Sequence, residues 1–261
     1  MKIQEVIDVV LAAVPGVSIA RTVDTFKSGD PAGSVTGIVT TFMATWQVVR
    51  RASQLGANLI ITHEPTYYSH RDEAAPLAGD PVFEAKRRLI EESGITIWRF
   101  HDFWHRHSPD GIATGLARKL GWEAYRDPDR PTFFRIPPTV LRELAATIGR
   151  KLGIAGLRVA GDLEMNCRGI ATALGAAPWQ GHREALLADD VDVLICGETR
   201  EWETCEYVRD GLAAGRRKAL VVLGHCNSEE PGMEYLAEWL RPRLPGVPVT
   251  FVAAGDPFAH F

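Results

Sequence analysis

Short apolar runs alternate along this chain with stretches of helical period. Residues 1–14 set Ile3, Val6, Ile7, Val10 and Leu11 against Glu5 and Asp8, an amphipathic helix. A loop rich in Gly, Ser, Asp and Pro follows at 27–34, then a strand at 35–41, a helix at 45–55 and an apolar run at 57–61 that stops at Thr62. His63 and Glu64 come next, and Pro65 ends strand geometry because it lacks the N–H that a ladder needs. After a polar loop at 67–80, a helix is predicted at 81–93 and a strand at 95–100, which again ends in polar chemistry from His101 to His107. A helix at about 111–120 closes the first half, and 127–131 reads as a linker.

The second half repeats the alternation. Strands are predicted at 132–136, 157–160, 167–173, 191–196 and 219–223, and helical segments at 140–152, 182–188, 201–214 and 231–240. The order of helix, short apolar strand and helix argues for βαβ units, hence an α/β fold with mostly parallel sheets flanked by helices. The expected division is an N-terminal lobe at 1–125 and a C-terminal lobe at 126–261.

Four apolar strands end in potential ligands: His63-Glu64, His101 to His105, Glu198, and His225 with Glu229. Any one of these is more often a cap or a surface residue. Parallel strands of one sheet, however, place their carboxyl ends on one edge, where α/β sheets bind ligands, so the groups converge if the strands are neighbours. His101 and His105 are four apart, as are His225 and Glu229, which sets each pair on one face of a helical turn. Asn227 or Ser228 is expected to cap the last helix, with Pro231 in its first turn. The chain has no G-x-S-x-G elbow, no G-x-x-x-x-G-K-[ST] phosphate loop, no G-x-G-x-x-G fingerprint and no H-E-x-x-H. A His and carboxylate metal centre is the strongest specific signal.

Composition narrows the partners. With 261 residues, 46% of them hydrophobic, the chain can bury one large or two small cores. A formal net charge of −4 and a pI near 6.1 provide no basic field for phosphate backbones, so no nucleic acid partner is expected. No apolar run approaches the ~18 to 20 residues of a spanning helix, and the amphipathic start lacks a signal-peptide pattern. The expectation is a cytoplasmic protein without membrane contact. Cys167, Cys196, Cys205 and Cys226 are widely spaced and read as reduced thiols, with Cys226 a small buried residue at a strand end.

The motifs resemble the Nif-three-like family, also called the YbgI family and known as GTP cyclohydrolase I type 2-like. I-T-H-E-P at 61–65 is similar to the family's I-T-H-H-P, and H-D-F-W-H at 101–105 with P-D-G-I at 109–112 is similar to H-T-N-L-D with P-G-G-V. G-E-T-R-E-W-E-T at 197–204 resembles the G-E/D segment before a long helix. G-H-C-N-S-E at 224–229, followed by Gly232 and Leu236-Ala237, resembles G-H-x-x-S-E with its continuation.

The resemblance implies a two-lobed protein, a metal site formed between the lobes, and a toroidal homo-hexamer. Carried over by position, the ligands of two divalent ions (Zn, Fe or Mn) fall on His63, Glu64, His105, His225 and Glu229. Glu64 stands where the family has a second His, and His105 where it has a bridging Asp. A neutral imidazole has one free lone pair, so Glu64 or Glu229 must bridge, or the centre holds one metal. His101 is counted with the metal site and expected to orient a ligand. The implied activity is metal-dependent hydrolysis of a small-molecule substrate, a nucleotide base or another heterocycle or amide. Glu198 or Glu201 would shuttle the proton, and Tyr67, Tyr68, Phe103, Trp104 or Trp202 would stack on the ring. The alternative is a metal-binding or metal-delivering hexamer without turnover.

Overall fold

The computed structural model describes residues 1–14, 16 and 18–259. Helix α1 (Ile3–Leu11) buries Ile3, Val6, Ile7 and Val10, the apolar face read from the sequence. Strands β1 (Phe26–Ser28) and β2 (Ile38–Thr41) follow. Helix α2 (Trp46–Gln54) starts where the Thr45 side chain accepts the Val48 N–H. Strand β3 (Leu59–Thr62) is buried throughout. Helix α3 (Pro81–Ser93) is capped by Asp80 and stopped by Gly94, whose φ of 63° is left-handed. Then come β4 (Thr96–Arg99) and the short α4 (Asp102–Arg106).

The chain continues through α5 (Gly111–Leu120), β5 (Phe133–Val140), α6 (Leu141–Leu152), β6 (Arg158–Ala160), β7 (Asn166–Ala173), α7 (Trp179–Leu187) and β8 (Val193–Cys196). A π-helical turn, Glu201–Cys205, leads into α8 (Glu206–Ala213), followed by β9 (Ala219–Val222), α9 (His225–Leu240) and β10 (Val249–Phe251).

These elements form two compact units. The first comprises 1–112 and 232–254, the second 113–231 and the residues from Gly255 on, so the chain changes unit inside α5, inside α9 and once more after Ala254. This departs from the expected consecutive halves because β10, a three-residue strand that no alternation announces, pairs in parallel with β2 and brings the chain back to the first unit.

The first unit holds a sheet of order β1-β4-β3-β2-β10, parallel except for β1. Thr41 pairs with Thr62 and Thr62 with Arg99, so β2, β3 and β4 end level with one another. One face packs under Val48, Val49, Phe83 and Ile90 of α2 and α3, which explains why the buried strands are apolar. The second unit has the order β5-β7-β8-β9-β6, parallel across β7, β8 and β9 and antiparallel at both edges. Ala173, Cys196 and Val222 are level at its carboxyl edge.

Two helix readings are corrected. The last helix begins at His225, six residues before the expected start, and Pro231 lies inside it rather than in its first turn. The helix expected at 201–214 opens as a π turn. Among the described residues no helix is long and apolar enough to cross a membrane.

Candidate metal centre

In the first unit, β3 and β4 end side by side and deliver His63-Glu64 and His101 to one edge, with His105 one turn further along α4. The rings meet: centroids of His63 and His101 are 4.6 Å apart, His63 and His105 5.0 Å, and His101 and His105 5.0 Å. One ligand nitrogen from each lies within 4.8 Å of the other two, a spacing that could hold a metal ion.

Whether these residues suit a cation is decided by their other nitrogens. His63 Nδ1 lies 3.1 Å from the Phe100 carbonyl, His101 Nδ1 2.9 Å from Asp102 Oδ1 and His105 Nδ1 2.9 Å from Asp110 Oδ2. A carbonyl or carboxylate can only accept, so each Nδ1 carries the proton and each Nε2 the lone pair. Metal-binding histidines are oriented in this way, and the donor set fits a divalent ion. Burial, and then the proximity of His105 and His101, holds His63 well below the ordinary histidine range. His63 is thus neutral at pH 7, the form in which an imidazole has a lone pair to offer a metal.

Glu64 adds a carboxylate, but Arg99 has claimed part of it. The buried Arg99 donates from Nη2 to Glu64 Oε2 at 3.2 Å, from Nε to the His63 carbonyl at 2.9 Å and from Nη1 to the His70 carbonyl at 2.5 Å. Glu64 Oε1 lies 3.5 Å from His101 Nε2. A carboxylate divided in this way presents Oε1 towards His101 while Oε2 is held by Arg99. His101, counted with the metal site and expected to orient a ligand, groups with His63 and His105 in the trio that could hold a metal ion, with Asp102 on its Nδ1.

In the second unit, His225 and Glu229 open α9 on one helical face. His225 Nδ1 donates to Glu198 Oε1 at 2.7 Å, and Nε2 faces Glu229 Oε2 at 3.1 Å. With the Nδ1 proton committed to Glu198, that second contact is attractive only if positive charge lies between the atoms, either a second proton or a cation. The same logic applies to Glu64 and His101. Gly175, at φ 62°, makes room here: a Cβ on it would sit 2.2 Å from Glu229 Oε1 and 3.2 Å from His225 Nε2. Ser228 Oγ accepts the Gly175 N–H at 3.0 Å and fixes that loop.

The remaining expectations divide. Glu198 is 56% exposed and belongs with His225, whereas Glu201 pairs at 3.2 Å with Arg158 on the exposed surface. Tyr67 packs on Phe83 and Trp104 is fully buried; Tyr68 and Trp202 are exposed. Cys226 is buried, its thiol donates to the Gly255 carbonyl at 3.4 Å, and burial pushes it above the usual thiol range, which disfavours the thiolate. Sequence reasoning missed Arg99, Asp102 and Asp110 as partners of the donors, although Asp102 and Asp110 flank them in the chain.

Two α/β units whose parallel strands end in histidine and carboxylate donors define a protein with a candidate divalent-metal centre. The chain matches the Duf34/NIF3 (NGG1p interacting factor 3) model over residues 1–257 and belongs to that family. It is 26% identical over 275 residues to a Clostridium perfringens protein named GTP cyclohydrolase 1 type 2 homolog, covering 99% of each chain. The Staphylococcus aureus protein SA1388 has the same fold, with a TM-score of 0.75 at 19% identity, covering 100% of this chain and 99% of that one. So does a Bacillus cereus protein related to NIF3, with a TM-score of 0.75 at 16% identity and coverage of 100% and 99%.

Proposed function

We propose that the chain binds divalent metal through His63, Glu64, His101 and His105 of the first unit and His225 and Glu229 of the second, and that it is a metal-dependent hydrolase. The observation that carries the reading is the grouping of three imidazoles, each with Nδ1 on an acceptor and one ring nitrogen within 4.8 Å of those of the other two. The metals that suit such mixed imidazole and carboxylate donors are Zn, Fe or Mn. Glu64 would offer a bound ion one carboxylate oxygen while Arg99 holds the other, and Glu229 would offer a second carboxylate in its own unit.

A bound cation would supply Lewis acidity and water activation for attack on a carbon of a heterocycle or amide. Glu198 serves as the proton carrier: it is half exposed and lies 2.7 Å from His225 Nδ1, so a proton can pass between the imidazole and solvent. The relative named GTP cyclohydrolase 1 type 2 homolog suggests a nucleotide-base or similar substrate. The hexameric assembly implied by the resemblance is part of the proposal.

A second reading, a metal-delivering hexamer without turnover, is favoured by Glu198 itself, since a carboxylate held on His225 is as well suited to orient that ligand as to carry protons. Both readings expect metal in protein purified without a His tag. They are separated by assaying metal-loaded and chelated protein on heterocycle, amide and phosphoester panels. Turnover lost on chelation and in Glu198→Gln supports the hydrolase; stoichiometric metal with no turnover on any panel supports delivery. Protein that takes up no divalent ion contradicts both.

A further inference from the structure

Helix α4 carries His105 and follows directly on His101, yet it is only five residues long, too short to stand alone. The first turn of any helix leaves backbone N–H groups without partners, and His101 offers no side-chain cap to them. The cap comes from 77 residues upstream. Asp24 Oδ1 accepts the N–H of His101 at 2.8 Å and of Asp102 at 2.9 Å, and its Oδ2 accepts the N–H of Phe103 at 2.9 Å.

The contact is reciprocal. Asp102 Oδ2 accepts the Val23 N–H at 3.1 Å, while its Oδ1 holds His101 Nδ1. Residues 23–24 and 101–103 thereby close a ring of hydrogen bonds that includes the imidazole itself. The anchor is firm on its own side too: Asp24 N–H bonds Thr22 Oγ1 at 3.0 Å, the Arg99 N–H bonds the Thr25 carbonyl at 3.1 Å, and β1 begins two residues later against β4. His105 inherits the placement through its N–H to the His101 carbonyl at 3.1 Å.

We propose that Asp24 is a positioning residue for the metal donors: by holding three consecutive N–H groups at the head of α4, its carboxylate sets where His101 and His105 present Nε2. The inference rests on the metal reading of the histidine trio and extends it to a residue whose carboxylate bonds the backbone at the head of α4. Asparagine at 24 keeps one accepting oxygen and turns an NH2 towards an N–H that needs an acceptor, so it loosens the turn without changing size. Alanine removes the cap altogether.

The test is cobalt(II) titration of the full-length protein followed by its visible absorption, which reports ligand geometry. Wild type, Asp24→Asn, Asp24→Ala, His105→Ala and Asp80→Ala are compared, each with a thermal melt of the metal-free form. Asp80 caps α3 in the same unit, through the Val82 and Phe83 N–H groups, and is the structural control. The expected result is a ~10 to 100-fold weaker cobalt affinity and an altered spectrum in both Asp24 variants, in keeping with other residues that orient metal ligands. Asp80→Ala should melt lower with the wild-type spectrum. Wild-type affinity and spectrum in Asp24→Asn overturn the proposal, as does an Asp24→Asn protein that is unfolded without metal, since the carboxylate would then hold the fold and not the donors. A wild-type chain that binds no cobalt, or a His105→Ala protein with an unchanged spectrum, overturns the metal reading beneath it.

Discussion

In the first unit three imidazoles meet one carboxylate, and that carboxylate shares a buried arginine; in the second a single imidazole, His225, stands between Glu198 and Glu229. Counted alike with neutral histidines, Glu64, Asp102 and Asp110 against Arg99 leave two negative charges in the first unit, and Glu198 and Glu229 sum to two in the second, so the sets differ in how they are held and not in charge. The difference shows how each set is held in place. Hydrogen bonds to the Phe100 carbonyl, Asp102, Asp110 and Arg99 fix the first unit's donors, and Arg99 offsets Glu64, whereas the second unit's donors sit on an opening helical turn and rely on the room that Gly175 leaves.

The largest expected effect tests the balance. Arg99→Met strips Glu64 of its cation and leaves the His63 and His70 carbonyls without that donor. Breaking a buried pair by removing one partner costs about 3 to 5 kcal/mol, to be read as the loss of unfolding free energy in denaturant. A cost under ~1 kcal/mol would mean that Glu64 is balanced from elsewhere. Gly175→Ala probes the other unit. Left-handed backbone costs an L-residue roughly 1 to 2 kcal/mol, and the new methyl must displace Glu229 as well. Metal binding should weaken in this variant, and wild-type affinity would remove Glu229 from the donors.

A smaller effect follows from titration. The folded-state pKa of His63 is depressed by burial, so the unfolded chain binds the proton more readily. The stability that goes with neutral His63 is therefore complete above the unfolded value of about 6.5 and declines as pH falls below it, by at most ~1.4 kcal/mol per pH unit. Buried His182 is depressed in the same sense, so the measurement is the difference between wild type and His63→Gln. Chelated wild type should lose stability from pH 7.5 to 5.5 more steeply than the variant, and parallel curves would contradict the assignment. The smallest effect is Glu201→Ala. An exposed pair with Arg158 is worth under about 0.5 kcal/mol, and neither metal content nor turnover should move.

What could be read from the sequence follows the same divide. His63 and His101 were legible because buried strands end on them, and an apolar run that stops abruptly is a strong signal. His225 and Glu229 were legible as a pair, but not as the start of a helix, because Pro231 reads as a first-turn residue and the six residues before it carry no apolar period. Five-residue α4 lies below the length at which periodicity exists, and β10 is three residues at a sheet edge. Arg99 lies within the predicted strand 95–100, where nothing local singles it out; only the level ends of β3 and β4 bring it to Glu64. Asp24 reaches its partners across 77 residues, a separation that no local pattern encodes.

The central claim is that imidazoles of the first unit ligate a divalent metal, and X-ray absorption at the metal edge of the zinc-loaded protein tests it most directly. The account predicts nitrogen scatterers at about 2.0 to 2.1 Å with the outer-shell pattern of imidazole, reduced in amplitude in His63→Ala and His105→Ala. A shell of oxygen donors alone, or an imidazole pattern that neither substitution changes, would contradict it.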